Sequence, residues 1–161
     1  MIKNMKSDLP LEKPINKVGL LEEELSYKIR GIFIEISKKY SYQFKEQFYH
    51  NLCIEYFIKN GVRFKSKPKI ILRSLELKNI IGYHMPDFLV DEKIIIEIKA
   101  QRQIFSEHIN QLTKYLKLSE YEIGFLVNFG SPMVQVIRRI SSNVNIIADV
   151  RRDTLRCAEA R

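Results

Sequence analysis

The segment that most constrains the fold is residues 86–99, in which two apolar runs, 88–90 and 94–96, flank a charged turn. This pattern predicts a β-hairpin. The second run consists of three isoleucines and is apolar at every position, which is typical of a strand buried on both faces. Charged residues at the end of such a strand do not lie on an ordinary solvent-exposed edge.

Three charged residues, Asp87, Glu97 and Lys99, interrupt the apolar pattern of this hairpin. A three-residue turn at 91–93 pairs Asp87 with Glu97, and Lys99 shares their face because strand side chains alternate. Facing carboxylates repel each other unless their charge is compensated. Mg²⁺, which favours one or two carboxylates plus a substrate phosphate, is a natural compensator. The alternatives are a two-residue turn, which breaks this pairing, or a solvent-exposed polar face.

The order and spacing of these residues resemble the signature of the PD-(D/E)XK nuclease superfamily. Pro86-Asp87 is followed, after nine residues, by Glu97-Ile98-Lys99. Gln111 and Tyr115 resemble the Gln-x-x-x-Tyr element of the RecB-like and lambda-exonuclease-like branches. The resemblance implies an α/β fold with a restriction-endonuclease-like core, in which helices flank a mixed β-sheet.

From about residue 21 to residue 140 the chain is similar to the small bacterial GxxExxxR family, with Asn60-Gly61 among the supporting pieces. Two residues depart from that pattern, since Gln43 stands where glycine is expected and His50 where arginine is expected. These departures affect the turn before the second predicted helix and leave the acidic set intact.

The superfamily resemblance also implies a set of site residues. The implied catalytic residues are Asp87, Glu97 and Lys99. The implied ligands of Mg²⁺ or Mn²⁺ are Asp87, Glu97 and the backbone carbonyl of Ile98. The implied site-lining residues are Glu46, Gln111 and Tyr115. A glutamate near a helix start is also favoured by the helix dipole, and the Gln111–Tyr115 face has solvent exposure as its alternative explanation.

Periodicity predicts the remaining elements in the order helix, helix, three strands, helix, two strands. Apolar residues at helical spacing predict helices at 20–39, 42–60 and 103–118. A strand region is predicted at 62–72, with a break near Pro68, and two closing strands are predicted at 122–129 and 134–140. A single helix between strands requires a crossover, so the sheet is expected to be mixed.

The length of 161 residues predicts one domain. Residues 1–19 are interpreted as an extended lead-in, 20–141 as the nuclease-like domain and 142–161 as a basic tail. The formal net charge of +8 favours a polyanionic partner. No signal peptide or membrane span is recognised, and two cysteines give no disulfide framework, so a cytoplasmic location is expected.

The sequence therefore predicts a metal-dependent nuclease that hydrolyses phosphodiester bonds, with DNA as the expected substrate. In this hypothesis the carboxylates bind the cation, and Lys99 orients a water molecule and stabilises developing negative charge. One alternative is a nucleic-acid-binding module of the same fold without catalysis. Another is a protein-assembly role in which strand edges form a homodimer. The sequence does not choose between DNA and RNA.

Overall fold

The computed structural model describes residues 22–141, so the predicted lead-in at 1–19 and basic tail at 142–161 lie outside the described residues. Within this range the elements, in chain order, are α1 (Glu23–Tyr40), α2 (Glu46–Lys59), β1 (Phe64–Ser66), β2 (Ile70–Arg73), β3 (Ile80–His84), β4 (Phe88–Val90), β5 (Ile94–Lys99), α3 (Ser106–Leu118), β6 (Ile123–Asn128) and β7 (Gln135–Ile140). No helix of this part of the chain is long and apolar enough to cross a membrane.

The main sheet has five strands in the order β1-β4-β5-β6-β7. Strands β5 and β6 are parallel, and every other neighbouring pair is antiparallel. Helix α3 makes the crossover between the two parallel strands, as such a connection requires. The predicted mixed sheet is confirmed, and β5 is its central strand.

Helices cover both faces of β5. Phe33 of α1 and Phe57 of α2 pack with Ile96 in one core cluster, while Leu112 of α3 packs with Ile95 in a second cluster on the other face. The isoleucines of β5 are completely buried, as the apolar run predicts. Glu97 follows Ile95 by two positions and therefore belongs to the face that α3 covers.

The hairpin has the register that a three-residue turn predicts. Phe88 pairs with Ile96, and Val90 pairs with Ile94. Asp91 and Glu92 in the turn have φ of 50° and 57°, which lets the chain reverse between the two strands. Continued by one residue beyond β4, this register sets Asp87 against Glu97 in the pairing expected from the sequence.

The predicted order of elements was wrong in one region, because five strands rather than three precede α3. The predicted break near Pro68 separates β1 from β2, but β3 was not anticipated. Strands β2 and β3 form a separate two-stranded sheet. The consecutive residues Ile80 and Ile81 are both exposed, so β3 lacks the alternating burial by which a half-buried strand is recognised.

Candidate active site

Asp87 is a buried carboxylate that the protein pairs and hydrogen-bonds. The residue is 5% exposed. Its Oδ2 accepts a hydrogen bond of 2.7 Å from the backbone N–H of Ile98, and its Oδ1 accepts one of 2.6 Å from Nζ of Lys67. A buried ionised carboxylate is tolerable when it is paired and hydrogen-bonded in this way. The hydrogen bond with Asp87 is the main reason that the pKa of Lys67 is raised.

Glu97 is engaged by a histidine that the sequence analysis did not identify. Nε2 of His84, the last residue of β3, donates to Oε1 of Glu97 at 2.5 Å. The His84 ring stacks on Tyr115 with a centroid distance of 3.5 Å, and Tyr115 accepts a hydrogen bond of 3.0 Å from Gln111. The two predicted site-lining residues of α3 therefore reach Glu97 through His84.

Glu46 is the first residue of α2, and it interacts electrostatically with the hairpin carboxylates Asp87 and Glu97. Its pKa is raised above that of an ordinary glutamate, mainly because burial penalises the charged form. Lys99 lowers this pKa, and Asp87 and Glu97 raise it. Glu46, Asp87, Glu97 and Lys99, which are distant in sequence, thus share one electrostatic environment.

Glu46→Gln is expected to be more stable than the wild type at neutral pH without metal. Because the folded-state pKa of Glu46 is raised, the folded state favours the protonated side chain, and stability falls as pH rises through that pKa. The advantage should vanish below the ordinary glutamate pKa. Thermal melts in EDTA over a pH series measure this difference.

Glu107 supplies a matched control, since it lies in the first turn of α3 and is exposed. Glu107→Gln should lose only the helix-dipole contribution, about 0.3–1 kcal/mol, at neutral pH. If Glu46→Gln is instead less stable than the wild type at neutral pH, then attraction to Lys99 outweighs the burial of Glu46.

Lys99 ends β5 with its ammonium uncommitted. Within residues 22–141 it has no salt-bridge partner, while its backbone carbonyl accepts a 2.8 Å hydrogen bond from Phe129. The backbone thus fixes the end of the strand and leaves the side-chain donors available to a ligand. An ammonium in this position suits a substrate that carries negative charge.

His50 lies one turn after Glu46 on α2 and borders Asp87. Its Nε2 is 2.9 Å from Oγ of Ser66, and its ring stacks on Phe88. Its Nδ1 is 3.3 Å from Oδ1 of Asp87 but outside hydrogen-bonding geometry. Burial lowers the pKa of His50, and the nearby Asp87 carboxylate opposes that shift.

The donor set suits a hard divalent cation, although the side chains of Lys67 and His84 contact it. Within the described chain no three His, Cys, Asp or Glu side chains are grouped closely enough to hold a metal ion. Carboxylate oxygens are the ligands that Mg²⁺ and Mn²⁺ prefer. Lys67 and His84 each contact one of these carboxylates. A metal bound through Oδ1 of Asp87 or Oε1 of Glu97 would therefore compete with those contacts.

The segment that follows Lys99 is held by the side chain of Asn128, the last residue of β6. Asn128 is completely buried. Its Oδ1 accepts from the backbone N–H groups of Gln101 and Gly130, and its Nδ2 donates to the carbonyl of Gln101. This amide therefore fixes the path of the chain immediately beyond the candidate catalytic lysine.

Sequence signals exist for some of the site residues that were missed. His50 follows Glu46 by four positions, so the two share a helix face. Asn128 is a lone polar residue in a buried strand, which marks a residue with a specific hydrogen-bonding role. Lys67 has no such signal, and His84 depends on β3, which was not predicted. Both reach the site only through tertiary structure.

A mixed sheet that brings carboxylates and a lysine together on its central hairpin has the architecture of a restriction-endonuclease-like nuclease. The family model of the PD-(D/E)XK nuclease superfamily matches residues 23–140. The chain belongs to this superfamily. No curated protein matches the sequence.

Solved structures with a similar fold include an alkaline exonuclease from Laribacter hongkongensis, at 17% identity and a TM-score of 0.41, with 66% of this chain and 61% of that chain covered. The same exonuclease in complex with dAMP is matched at 14% identity and a TM-score of 0.42, with 86% and 65% covered. SSO0001 is matched at 16% identity and a TM-score of 0.46, with 91% and 88% covered. The chain thus spans less than two thirds of the exonuclease.

Proposed function

We propose that this chain is a divalent-metal-dependent nuclease that hydrolyses phosphodiester bonds, with DNA as its substrate. The observation that carries the proposal is the shared electrostatic environment of Glu46, Asp87, Glu97 and Lys99 in a chain of the PD-(D/E)XK superfamily. A glutamate with a raised pKa, together with two further carboxylates and an uncommitted lysine, is typical of a site that binds a metal and a phosphate.

Each site residue has a role that follows from its chemistry. Asp87, Glu97 and the carbonyl of Ile98 would hold the cation, which supplies Lewis-acid polarisation of a phosphoryl oxygen when bound. Lys99 donates hydrogen bonds to the negative charge that develops on the phosphate. On α3, the Gln111–Tyr115 pair keeps the partner of Glu97 in place through the stacked ring of His84.

Lys67 competes with the cation for Asp87. Its ammonium neutralises the buried carboxylate at 2.6 Å, while the lysine side chain is half-exposed. A long, half-exposed side chain can withdraw towards solvent without leaving its own charge buried. Lys67 thus stabilises the metal-free fold and opposes metal binding.

Asp87→Asn is expected to lose most of the Mn²⁺-induced rise in melting temperature, and Lys67→Gln is expected to enlarge it. A ligand that binds only the folded state stabilises it by about 2.7 kcal/mol at one hundred times its dissociation constant. Removing a metal ligand weakens this linkage, whereas removing the competing ammonium strengthens it. Thermal melts with EDTA and with Mn²⁺ measure both changes.

Lys65→Gln is the matched control, because Lys65 lies on β1, two residues before Lys67, and pairs with the turn residue Glu92 rather than with Asp87. It should leave the Mn²⁺ shift unchanged. In EDTA, Lys67→Gln should melt below the wild type, since Asp87 then lacks its counter-charge. An undiminished Mn²⁺ shift in Asp87→Asn would show that the metal binds elsewhere.

The proposal is tested by a cleavage assay with labelled DNA in Mg²⁺, in Mn²⁺ and in EDTA. Cleavage that requires either cation supports the nuclease. Salt-dependent binding without cleavage would select the non-catalytic binding module. If the chain neither binds nor cleaves, the assembly role is favoured. The homodimer, the GxxExxxR relationship and the cytoplasmic location stay predictions.

A further inference from the structure

A cavity of about 660 Å³ is lined by residues that flank members of the candidate active site in sequence. Its walls come from the segment before α2, the segment after β5 and the β6–β7 turn, and its lining includes Tyr42, Phe44 and Arg102. Phe44 precedes Glu46 by two residues, and the lining residue Ala100 directly follows Lys99. The volume is within the range of about 300–1,000 Å³ that is typical of small-molecule sites.

The aromatic wall of this cavity is exposed to solvent and is supported by a neighbouring ring. Phe44 is 48% exposed, although it is a large apolar side chain. Phe48 stacks on it with a centroid distance of 4.1 Å and an interplanar angle of 21°, which covers one face of the ring. Tyr42 lies on the same wall. Tyr49 also meets the Phe44 ring, at a centroid distance of 6.3 Å. A supported aromatic ring that stays about half-exposed suits a planar ligand that stacks.

The cationic group of the cavity is Arg102. Its side chain is exposed and makes no hydrogen bond or ion pair within residues 22–141. An arginine has a planar fork of donors that matches phosphate oxygens. The cavity lining thus offers a donor for an anionic group.

The backbone before α2 is strained where it lines the cavity. Gln43 has φ of 89°, in the left-handed region that favours glycine. This is the position at which the GxxExxxR resemblance leads one to expect glycine, so the backbone keeps a glycine-like conformation while carrying a polar side chain. Strained residues of this kind concentrate at ligand sites, and Gln43 adds an amide to the cavity wall.

We propose that this cavity binds one unpaired nucleotide of the substrate, with its base stacked on Phe44 and its phosphate on Arg102. The inference rests on the proposed nuclease function and deepens it, because it specifies single-stranded or frayed DNA rather than an intact duplex as the preferred substrate. Because the lining residues Ala100 and Phe44 are close in sequence to Lys99 and Glu46, this nucleotide would neighbour the phosphate to be cleaved.

The test measures binding in EDTA, where no metal-dependent cleavage occurs. Three labelled probes are compared by fluorescence anisotropy: a short single strand of deoxyadenosine, an abasic strand of the same length and charge, and a blunt duplex. The wild type should prefer the deoxyadenosine strand. Phe44→Leu should weaken binding of that strand about tenfold, or about 1.4 kcal/mol, within the range of base stacking. It should leave the abasic strand unaffected.

Arg102→Gln should weaken binding of both single strands alike and reduce the slope of log affinity against log salt by about one. Matched controls come from α1, where Tyr27 is 82% exposed and Arg30 is exposed. Tyr27→Leu and Arg30→Gln remove an equivalent ring and an equivalent charge away from the cavity. Neither should change the affinity for the deoxyadenosine strand.

Two outcomes would contradict the proposal that the cavity binds an unpaired nucleotide. The first is equal affinity of the wild type and Phe44→Leu for the deoxyadenosine strand, provided that both proteins melt normally. The second is a preference of the wild type for the duplex. Because the binding assay needs no metal, its result can contradict the nucleotide pocket without contradicting the nuclease proposal. If the wild type cleaves DNA but its affinity for DNA does not depend on Phe44 or Arg102, only the pocket is refuted.

Discussion

Glu97→Gln is expected to lower the rate of metal-dependent DNA cleavage at least about a hundredfold while preserving the fold. Mutation of a residue that only supports a metal ligand typically lowers metal affinity or activity 10–100-fold. Glu97 is itself proposed as a ligand, so its loss should cost at least as much. The substitution keeps the shape of the side chain and an oxygen that can accept from His84, so the contact across the site survives. Initial cleavage rates in Mg²⁺ and Mn²⁺, together with melting temperatures, measure both parts of the prediction.

Glu92→Gln is the matched control, because it makes the same chemical change in the turn of the same hairpin. Glu92 is exposed, and its ion pair with Lys65 lies on the protein surface. Exposed ion pairs contribute about 0–1 kcal/mol, so neither activity nor melting temperature should change much. Equal cleavage rates for Glu97→Gln and Glu92→Gln, in preparations free of other nucleases, would remove β5 from the active site.

The hairpin could be predicted from the sequence because its determinants are local. Apolar runs of strand length flank a turn of three charged residues, and that turn length alone fixes Asp87 opposite Glu97. Burial of the isoleucine run follows equally from composition. The acidic pair and Lys99 were accordingly identified before any tertiary information was used.

The side chains that engage those carboxylates could not be predicted, because they arrive by tertiary contact. Lys67 lies 20 residues before Asp87, and its role depends on the irregular segment between β1 and β2. His84 reaches Glu97 from β3, a strand whose exposed isoleucines give no alternating pattern. The sequence therefore predicted a repulsive pair in need of a cation, whereas in the fold Lys67 and His84 already contact the two carboxylates.

The start of α2 shows a second limit of sequence reasoning. Periodicity extended this helix back to residue 42, but the structure begins it at Glu46. Ser41 and Gln43 adopt φ of 61° and 89°, which no helix tolerates. Side-chain identity carried no signal for that conformation, since neither residue is glycine. The same non-helical segment forms a wall of the cavity that Ala100 and Arg102 also line.

Gly130→Ala is expected to destabilise the fold by about 3 kcal/mol, the upper end for an overpacked site. A Cβ at this position would clash with the backbone nitrogen of Gln101 and the carbonyl carbon of Ala100. Neither neighbour is a side chain that can rotate away, and Asn128 ties Gln101 and Gly130 to one amide oxygen.

The melting temperature of Gly130→Ala should fall by roughly 6–12 °C, at about 2–4 °C for each kcal/mol. The rate of DNA cleavage should also fall, even at temperatures below the melting transition, because the displaced segment directly follows Lys99. Gly31→Ala is the control: this glycine lies inside α1 with nothing within 4 Å of an added Cβ. Alanine should stabilise that helix by about 0.5–1 kcal/mol. If both variants melt at the wild-type temperature, the close approach of the β6–β7 turn to the end of β5 does not exist in solution.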